Sequence, residues 1–564
     1  MVDEWNGGLQ GGSKVTKSIT LITIATVLIT NLTGQPRVIA AESAYSPYND
    51  LVELFSFWRK FHAPAMIDGV PDYSAGAMAR QQRELAGWQK RLAAIDTVGW
   101  AVAHQIDWLL LWAEMNSLDF THRVTRPWAQ DPSFYVWFYS YPTDVPEREG
   151  PNIHGAIELP NYETPLSKAD ATDITTRLRR IGRVYRQART NLTGNGRDLW
   201  VYGTRSIQAQ SNDLAVFATS VASLHPDLAK AALEAREESE RFADWLAVES
   251  VKKTGTSGVG KDNYSWNLRN VHLVPFSWDD HVLIMQRELA RAHSSLRLEE
   301  HRNRSLPKHS MIGSVEEYDR RLNEAVTQYM QFLEYKEIIP IRSYMDAALR
   351  ARIGRYTPSA GLRGFFTEIT YREPIMMRTH DYHWIDLARM REEPHKSPIR
   401  KTPLLENIFD SRAEGMATGM EEMMMHAGLL DAKPRARELV WVLLAQRAAR
   451  ALGGLYQHGL EMSIDEATRF ASQWTPWRLL PPDGETIQGE EHFYLTQPGY
   501  ESSYISGKVL IERLIAEYAR QREGRFELKE FMDNFNKSGI IPVSLIFWEL
   551  TGDKSMLEEA IGGR

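Results

Sequence analysis

The sequence predicts a mainly α protein, a large multi-helix body with at most one small β element. Three observations carry that expectation. Stretch after stretch places apolar residues at i, i+3 and i+4, the spacing of one helix face. Only one short stretch alternates in the manner of a strand. The chain has 564 residues, 43% hydrophobic and 25% charged, enough for a sizeable core of ordinary soluble composition. A net charge of -7 offers no basic field for phosphates, so nucleic acid is not an expected partner. Cysteine is absent, which removes disulfides, thiolate ligands, a Cys nucleophile and a lipid-modified N-terminal Cys. A chain without Cys suits an exported protein whose core needs no staples.

The elements follow in order. Lys14 and Lys17 precede SITLITIATVLIT, and VIA-AES supplies small residues for cleavage near Ala40 or Ala41. Residues 1–41 therefore read as a secretory signal peptide. The apolar run is shorter than the ~20 residues a spanning helix needs, and an uncleaved anchor is the alternative. Export to a periplasm or the medium is the expectation, with no membrane contact after cleavage. Residues 42–350 read as an N-terminal helical region, and 351–564 as a C-terminal one forming a compact unit with it.

LVELFSFWRKF, AMARQQRELAGWQKRLAAI and VGWAVAHQIDWLLLWAEMNSL are amphipathic helices. Residues 124–165, rich in Pro, Tyr and Trp, read as an irregular excursion. The arginines between Arg177 and Arg189 read as a solvated helix face. GTSGVGKD has P-loop spacing up to Lys261, but Asp262 stands where the magnesium-binding hydroxyl belongs and a helix precedes it. It reads as a Gly-rich linker. Two more helices lead to LRGFFTEITYREPI, residues 362–375, the best strand candidate. RARELVWVLLAQRAARALGGLYQHG reads as a buried helix broken at Gly453-Gly454. Ser463 and Glu466 make a capping box before SIDEATRFASQW. Two further helices follow, the last stopped by Gly539.

The stretch Arg378–Gly428 looks least like scaffold. If HDYHWIDLARM is helical, ~100° per residue puts His380, His383, Trp384 and Leu387 on one face, with Asp381 to the side and Asp386 pointing elsewhere. Neutral imidazoles facing an apolar interior suit zinc or a similar metal. Spacing alone equally fits core histidines bonded to carboxylates or backbone. In the Met-rich helix that follows, Glu414 and Glu421 edge the apolar stripe, while Glu422 and His426 lie opposite and read as solvated. Glu414 is a third ligand candidate or a first-turn Glu favoured by the helix dipole. The methionines read as core. The only Glu-x-x-His match, Glu392 to His395, contains Pro394, which sets a di-iron bundle aside. No Gly-x-Ser-x-Gly elbow is present.

Several stretches together resemble the bacterial family known as domain of unknown function 885. EGMATGMEEMMMHAGLL from Glu414, QRAARALGGLYQHG ending in His458, QPGYESSYISGK from Gln497 and FELKEFMDNFNKSGIIPVSL from Phe526 match its motifs in order. The resemblance implies a zincin-like helical core and metallopeptidase-type chemistry. His380-Asp381 stands where the family has His-Glu; the family's Pro-Gly is missing; Tyr500 replaces a Gln and Met416 a Trp. Two readings follow. The first is an exported hydrolase of peptide or amide bonds. His380, His383 and Glu414 would hold one divalent metal, zinc by preference, with Asp381 as general base and Tyr504 as oxyanion donor. Arg412, His458 or Lys508 would hold a carboxylate of a peptide or small-molecule substrate. The second is a non-catalytic descendant that binds without turnover.

Overall fold

The computed structural model describes residues 47–359 and 361–562. The signal-peptide expectation for 1–41 falls outside them. The helical spacing of the sequence is realised throughout, from Tyr48–His62 to Ser555–Ile561. Among the described residues the β structure is two pairs of two-residue strands. Met66–Ile67 pairs antiparallel with Val70–Pro71, and Phe138–Tyr139 pairs parallel with Ile157–Glu158.

Two apolar cores organise the helices. The larger runs from Leu51 to Leu557 and gathers the first helices with most of the chain from Tyr264 onward. The smaller lies under helices Lys168–Leu178, Ile181–Asn191, Arg197–Val221 and Pro226–Ser250. It also takes in Trp128, Tyr135, Trp137 and Ile157, so the excursion at 124–165 is anchored by its own aromatic side chains. Arg179, Arg183, Arg186 and Arg189 face outward, as a solvated face should. The Gly-rich linker packs on the end of helix Ala436–His458, where the Gly260 N–H donates to the His458 carbonyl at 2.9 Å. A Cβ on Gly258 would lie 2.2 Å from the Gln457 carbonyl oxygen, so only glycine allows that approach.

Three local expectations change. Residues 365–372 form a helix, Phe365–Arg372, and not a strand. Phe365, Glu368 and Ile369 are buried at i, i+3, i+4. Glu368 accepts from the Arg363 N–H at 3.0 Å and pairs with Arg372, closing both ends of the turn. Second, Ala436–His458 runs unbroken through Gly453-Gly454. These glycines admit neighbours instead of ending the helix: a Cβ would lie 2.7 Å from Glu491 Oε1 at Gly453 and 2.8 Å from Glu501 Cγ at Gly454. Third, HDYHWIDLARM is not one helix. Ile375–His380 ends at Asp381, whose N–H still donates to the Met377 carbonyl at 2.9 Å, and Tyr382–Glu392 starts afresh.

Candidate metal centre

The break at Asp381 turns the two imidazoles toward each other, with ring centroids 5.2 Å apart at 79°. Glu414, in helix Asp410–His426, reaches the same point from across the core. One ligand atom from each of His380, His383 and Glu414 lies within 4.8 Å of the others. His383 Nε2 and Glu414 Oε2 are 3.4 Å apart, both buried, and neither has a hydrogen-bond partner. Ligands about 2.05 Å from a tetrahedral zinc lie about 3.3 Å from each other. The donor types and this spacing are therefore ones that could hold zinc.

Two of the three candidate ligands, His380 and Glu414, are held from behind. The side chain of Glu421 lies 3.2 Å from His380 Nδ1, and Arg447 donates to both of its carboxylate oxygens at 2.7 Å. Arg447 Nη2 also lies 3.2 Å from His380 Nδ1. The Tyr500 hydroxyl donates to Glu414 Oε1 at 2.7 Å, and the Tyr504 hydroxyl donates to that of Tyr500 at 3.2 Å. Burial alone would raise the Glu414 carboxyl; His383, His380 and the Tyr500 hydrogen bond reverse this and hold it at about 2. Burial would likewise lower His383, but Glu414 and Asp144 push it to about 10. Asp381 sits beside Arg378, at 2.8 Å. Its carboxyl is raised by burial against the pull of Arg378 and His380.

Two clefts flank the cluster. One, of about 590 Å³, is lined by Tyr139, Tyr141, Glu149, Tyr500 and Tyr504. The other, of about 700 Å³, is lined by Thr143, Val145, Arg352, Trp384 and Arg391. The 140–151 segment contributes to both. It is tied down by Gln497, which accepts from the Gly150 N–H and donates to Asp410 at 2.7 Å.

The structure thus brings together His380, His383, Glu414, Asp381 and Tyr504. It does not bring Arg412, His458 or Lys508 to the cluster. Arg412 is buried in a fork on Asp386 (2.8 and 3.1 Å), with Asn536 at 3.0 Å. His458 is fully buried against the Tyr494 carbonyl at 2.9 Å, and burial pushes its pKa down to about 4. Lys508 is buried between Glu422, at 3.0 Å, and Glu512. Glu422 is accordingly not solvated: it is buried and paired with Arg291 and Lys508. His426 is exposed. Glu421, Arg447 and Tyr500 are the supporting residues that sequence reasoning left unassigned. Glu421 carried a signal, two turns after Glu414 on the same stripe edge. Arg447 carried none.

The fold and cluster define a class: a large helical protein with a His-His-Glu set of which His383 and Glu414 are buried and His380 partly so. The chain belongs to the family described as bacterial protein of unknown function (DUF885), whose model matches residues 64–351 and 383–549. The unmatched stretch between these segments contains His380 and Asp381. Among curated proteins, none matches this sequence. Two solved structures are similar over nearly their whole length. The first is described as "a putative lipoprotein of unknown function from Shewanella oneidensis". It has a TM-score of 0.62 and 16% identity, over 89% of this chain and 97% of that one. The other, "the putative lipoprotein from Colwellia psychrerythraea", has a TM-score of 0.64 and 13% identity, over 90% and 97%. At these identities the likeness concerns the fold.

Proposed function

We propose that this protein is an exported, metal-dependent hydrolase of peptide or amide bonds. One observation carries the reading. Two buried donor atoms, His383 Nε2 and Glu414 Oε2, lie 3.4 Å apart without hydrogen bonds, with His380 beside them. Buried donor and acceptor atoms that lack hydrogen bonds are rare, and although these two attract one another as an ion pair, the convergence of His380 on the same point supports a metal between them. Zinc bound there supplies a Lewis acid that polarises a scissile carbonyl. His380, His383 and Glu414 would hold it. Glu421, clamped by Arg447, fixes the ring of His380, and Tyr500 fixes the carboxylate of Glu414. Asp381, its carboxyl raised by burial, takes the proton of the attacking water and delivers it to the departing amine. Tyr504, which lines the 590 Å³ cleft, donates to the developing oxyanion by swinging its hydrogen bond off Tyr500. Export is supported by the signal-like N-terminal pattern and by the description of both solved relatives as lipoproteins. No helix among the described residues is long and apolar enough to cross a membrane.

Metal analysis of the purified mature protein tests this. About one zinc per chain is expected, lost in His380→Ala and Glu414→Ala, together with chelator-sensitive cleavage of a peptide library. Absence of stoichiometric metal, with cleavage indifferent to chelators, sinks the reading. Metal without turnover selects the binding-protein alternative, which the shortened base at Asp381 and the unmatched stretch 352–382 favour.

A further inference from the structure

The 700 Å³ cleft contains an arginine whose guanidinium meets a ring and no hydrogen-bond acceptor among the described residues. Three arginines line it: Arg148, Arg352 and Arg391. Arg148 donates through Nε to both oxygens of Glu158, at 2.7 and 2.8 Å, and lies over Tyr139 and Tyr141. Arg391 donates to Glu392 at 2.9 Å. The Arg352 N–H caps the preceding helix on the Leu349 carbonyl at 3.1 Å, but among the described residues its guanidinium has no hydrogen bond or ion pair. Its guanidinium lies 3.7 Å from the centroid of the Trp384 ring. Stacking on an indole restrains the guanidinium plane while leaving its N–H edge free, which is the edge that recognises carboxylates as a fork.

The placement ties this cation to the metal cluster. Trp384 directly follows His383 at the start of helix Tyr382–Glu392. Arg352 stands just past helix Ser343–Arg350, which packs on that helix. The carboxylates of Asp144 and Asp381 both act on Arg352, and Asp144 also acts on His383. The side chain is exposed and open to a ligand. The three cations that residue type suggested for this task, Arg412, His458 and Lys508, are all buried and engaged elsewhere. Arg352 also opens the stretch that the family model leaves unmatched, so it belongs to this chain's own character.

We propose that Arg352, braced on Trp384, is a specificity-determining residue that grips a substrate carboxylate beside the His380–His383–Glu414 cluster. This rests on the hydrolase reading and deepens it by naming the substrate class: peptides carrying a carboxylate next to the bond presented to the cluster. The carboxylate is either the chain terminus or an acidic side chain.

The experiment is calorimetric binding to the zinc-loaded full chain. The probes are acetyl-alanyl-phenylalanyl-alanine, its C-terminal amide, and an amide with glutamate in the last position. The acid is expected to bind at least tenfold tighter than the plain amide. Binding of the glutamate amide as tightly as the acid assigns the grip to any carboxylate; binding at the plain amide's level assigns it to the terminus. Arg352→Met should bring the acid down to the amide's affinity with zinc content unchanged, and Arg352→Lys should recover part of the difference. Where turnover is seen, the loss should fall on KM more than kcat. Equal affinity for acid and amide, no measurable binding of the acid, or an undiminished preference in Arg352→Met overturns the assignment. The hydrolase reading stands or falls separately, on zinc content and chelator sensitivity.

Discussion

At the scale of single residues, the informative contact is that of Glu421 with His380. A carboxylate behind a ligand imidazole fixes the ring and raises its basicity, and its loss weakens metal affinity by about 10–100-fold. Glu421 is buried and doubly bonded to Arg447, which is itself fully buried. Deleting the whole side chain would strand that guanidinium, so the useful variant is Glu421→Gln, which keeps the shape. Zinc affinity, measured by competition with a chromophoric chelator, should fall by about 10–100-fold while far-UV circular dichroism stays unchanged. Wild-type affinity in Glu421→Gln would reduce the contact to scaffold. The same residues show what sequence could reveal. That His380, His383 and Glu414 would come together was legible because residue type and local spacing single out groups able to act as ligands. Arg447 was not, because it sits in a helix buried on every side, and its partner is 26 residues away. Arg412, His458 and Lys508 were assigned to substrate by type alone. Type cannot show that Asp386, the Tyr494 carbonyl and Glu422 already occupy them.

At the scale of elements, helices were legible wherever one apolar face recurs, and the errors fall where a helix is short or buried all round. Phe365–Arg372 is only two turns long, so its aromatic alternation outweighed its i, i+4 pairs. The break at Asp381 leaves no sequence mark at all, yet it aims both histidines. What carries Glu414 to Tyr500 is a contact between glycines. Helices Asp410–His426 and Tyr500–Gln521 cross where Gly415 meets Gly507. A Cβ on Gly507 would stand 2.1 Å from the Ser411 carbonyl oxygen and 2.8 Å from Gly415 Cα. Those are backbone atoms, which cannot step aside as a flexible side chain can. Gly507→Ala should therefore destabilise by at least about 1–3 kcal/mol in chemical denaturation, and lower zinc affinity by parting the two helices. Gly489→Ala is the control: its added Cβ meets nothing within 4 Å in the exposed interior of helix Glu485–Thr496. It should stabilise by about 0.5–1 kcal/mol. Equal behaviour of the two variants would remove the argument for a close crossing.

At the scale of the whole molecule, the fold encloses titratable groups that oppose one another across pH. Burial pushes the Glu501 carboxyl up to about 8, and raises Glu491 and Asp410 well above the usual range. Burial pushes His272 and His458 down to about 4 and His281 to about 3. For each raised acid the folded state holds a proton that the unfolded chain gives up near 4.5 for the two glutamates and 3.8 for Asp410. The stability it contributes is complete below that value and is lost as pH rises toward the folded pKa. For each lowered histidine the folded state refuses a proton that the unfolded chain takes up near 6.5, so stability is lost as pH falls below that value. The two sets pull in opposite directions between about 4.5 and 6.5. Above about 7 these three histidines are neutral in both states, and the acids act together with His383, which is raised to about 10 and so also loses stability as pH rises. The denaturation midpoint should therefore decline from pH 7 to pH 8.5. Glu501→Gln keeps the acceptor for the Tyr264 hydroxyl, now bonded to Glu501 Oε1 at 2.5 Å, and removes the titration. Its midpoint should fall less steeply over that window and lie above wild type at pH 8.5. A slope identical to wild type would mean that Glu501 is already ionised in the folded protein at pH 7, with its charge met by Tyr264 and the Gly499 N–H.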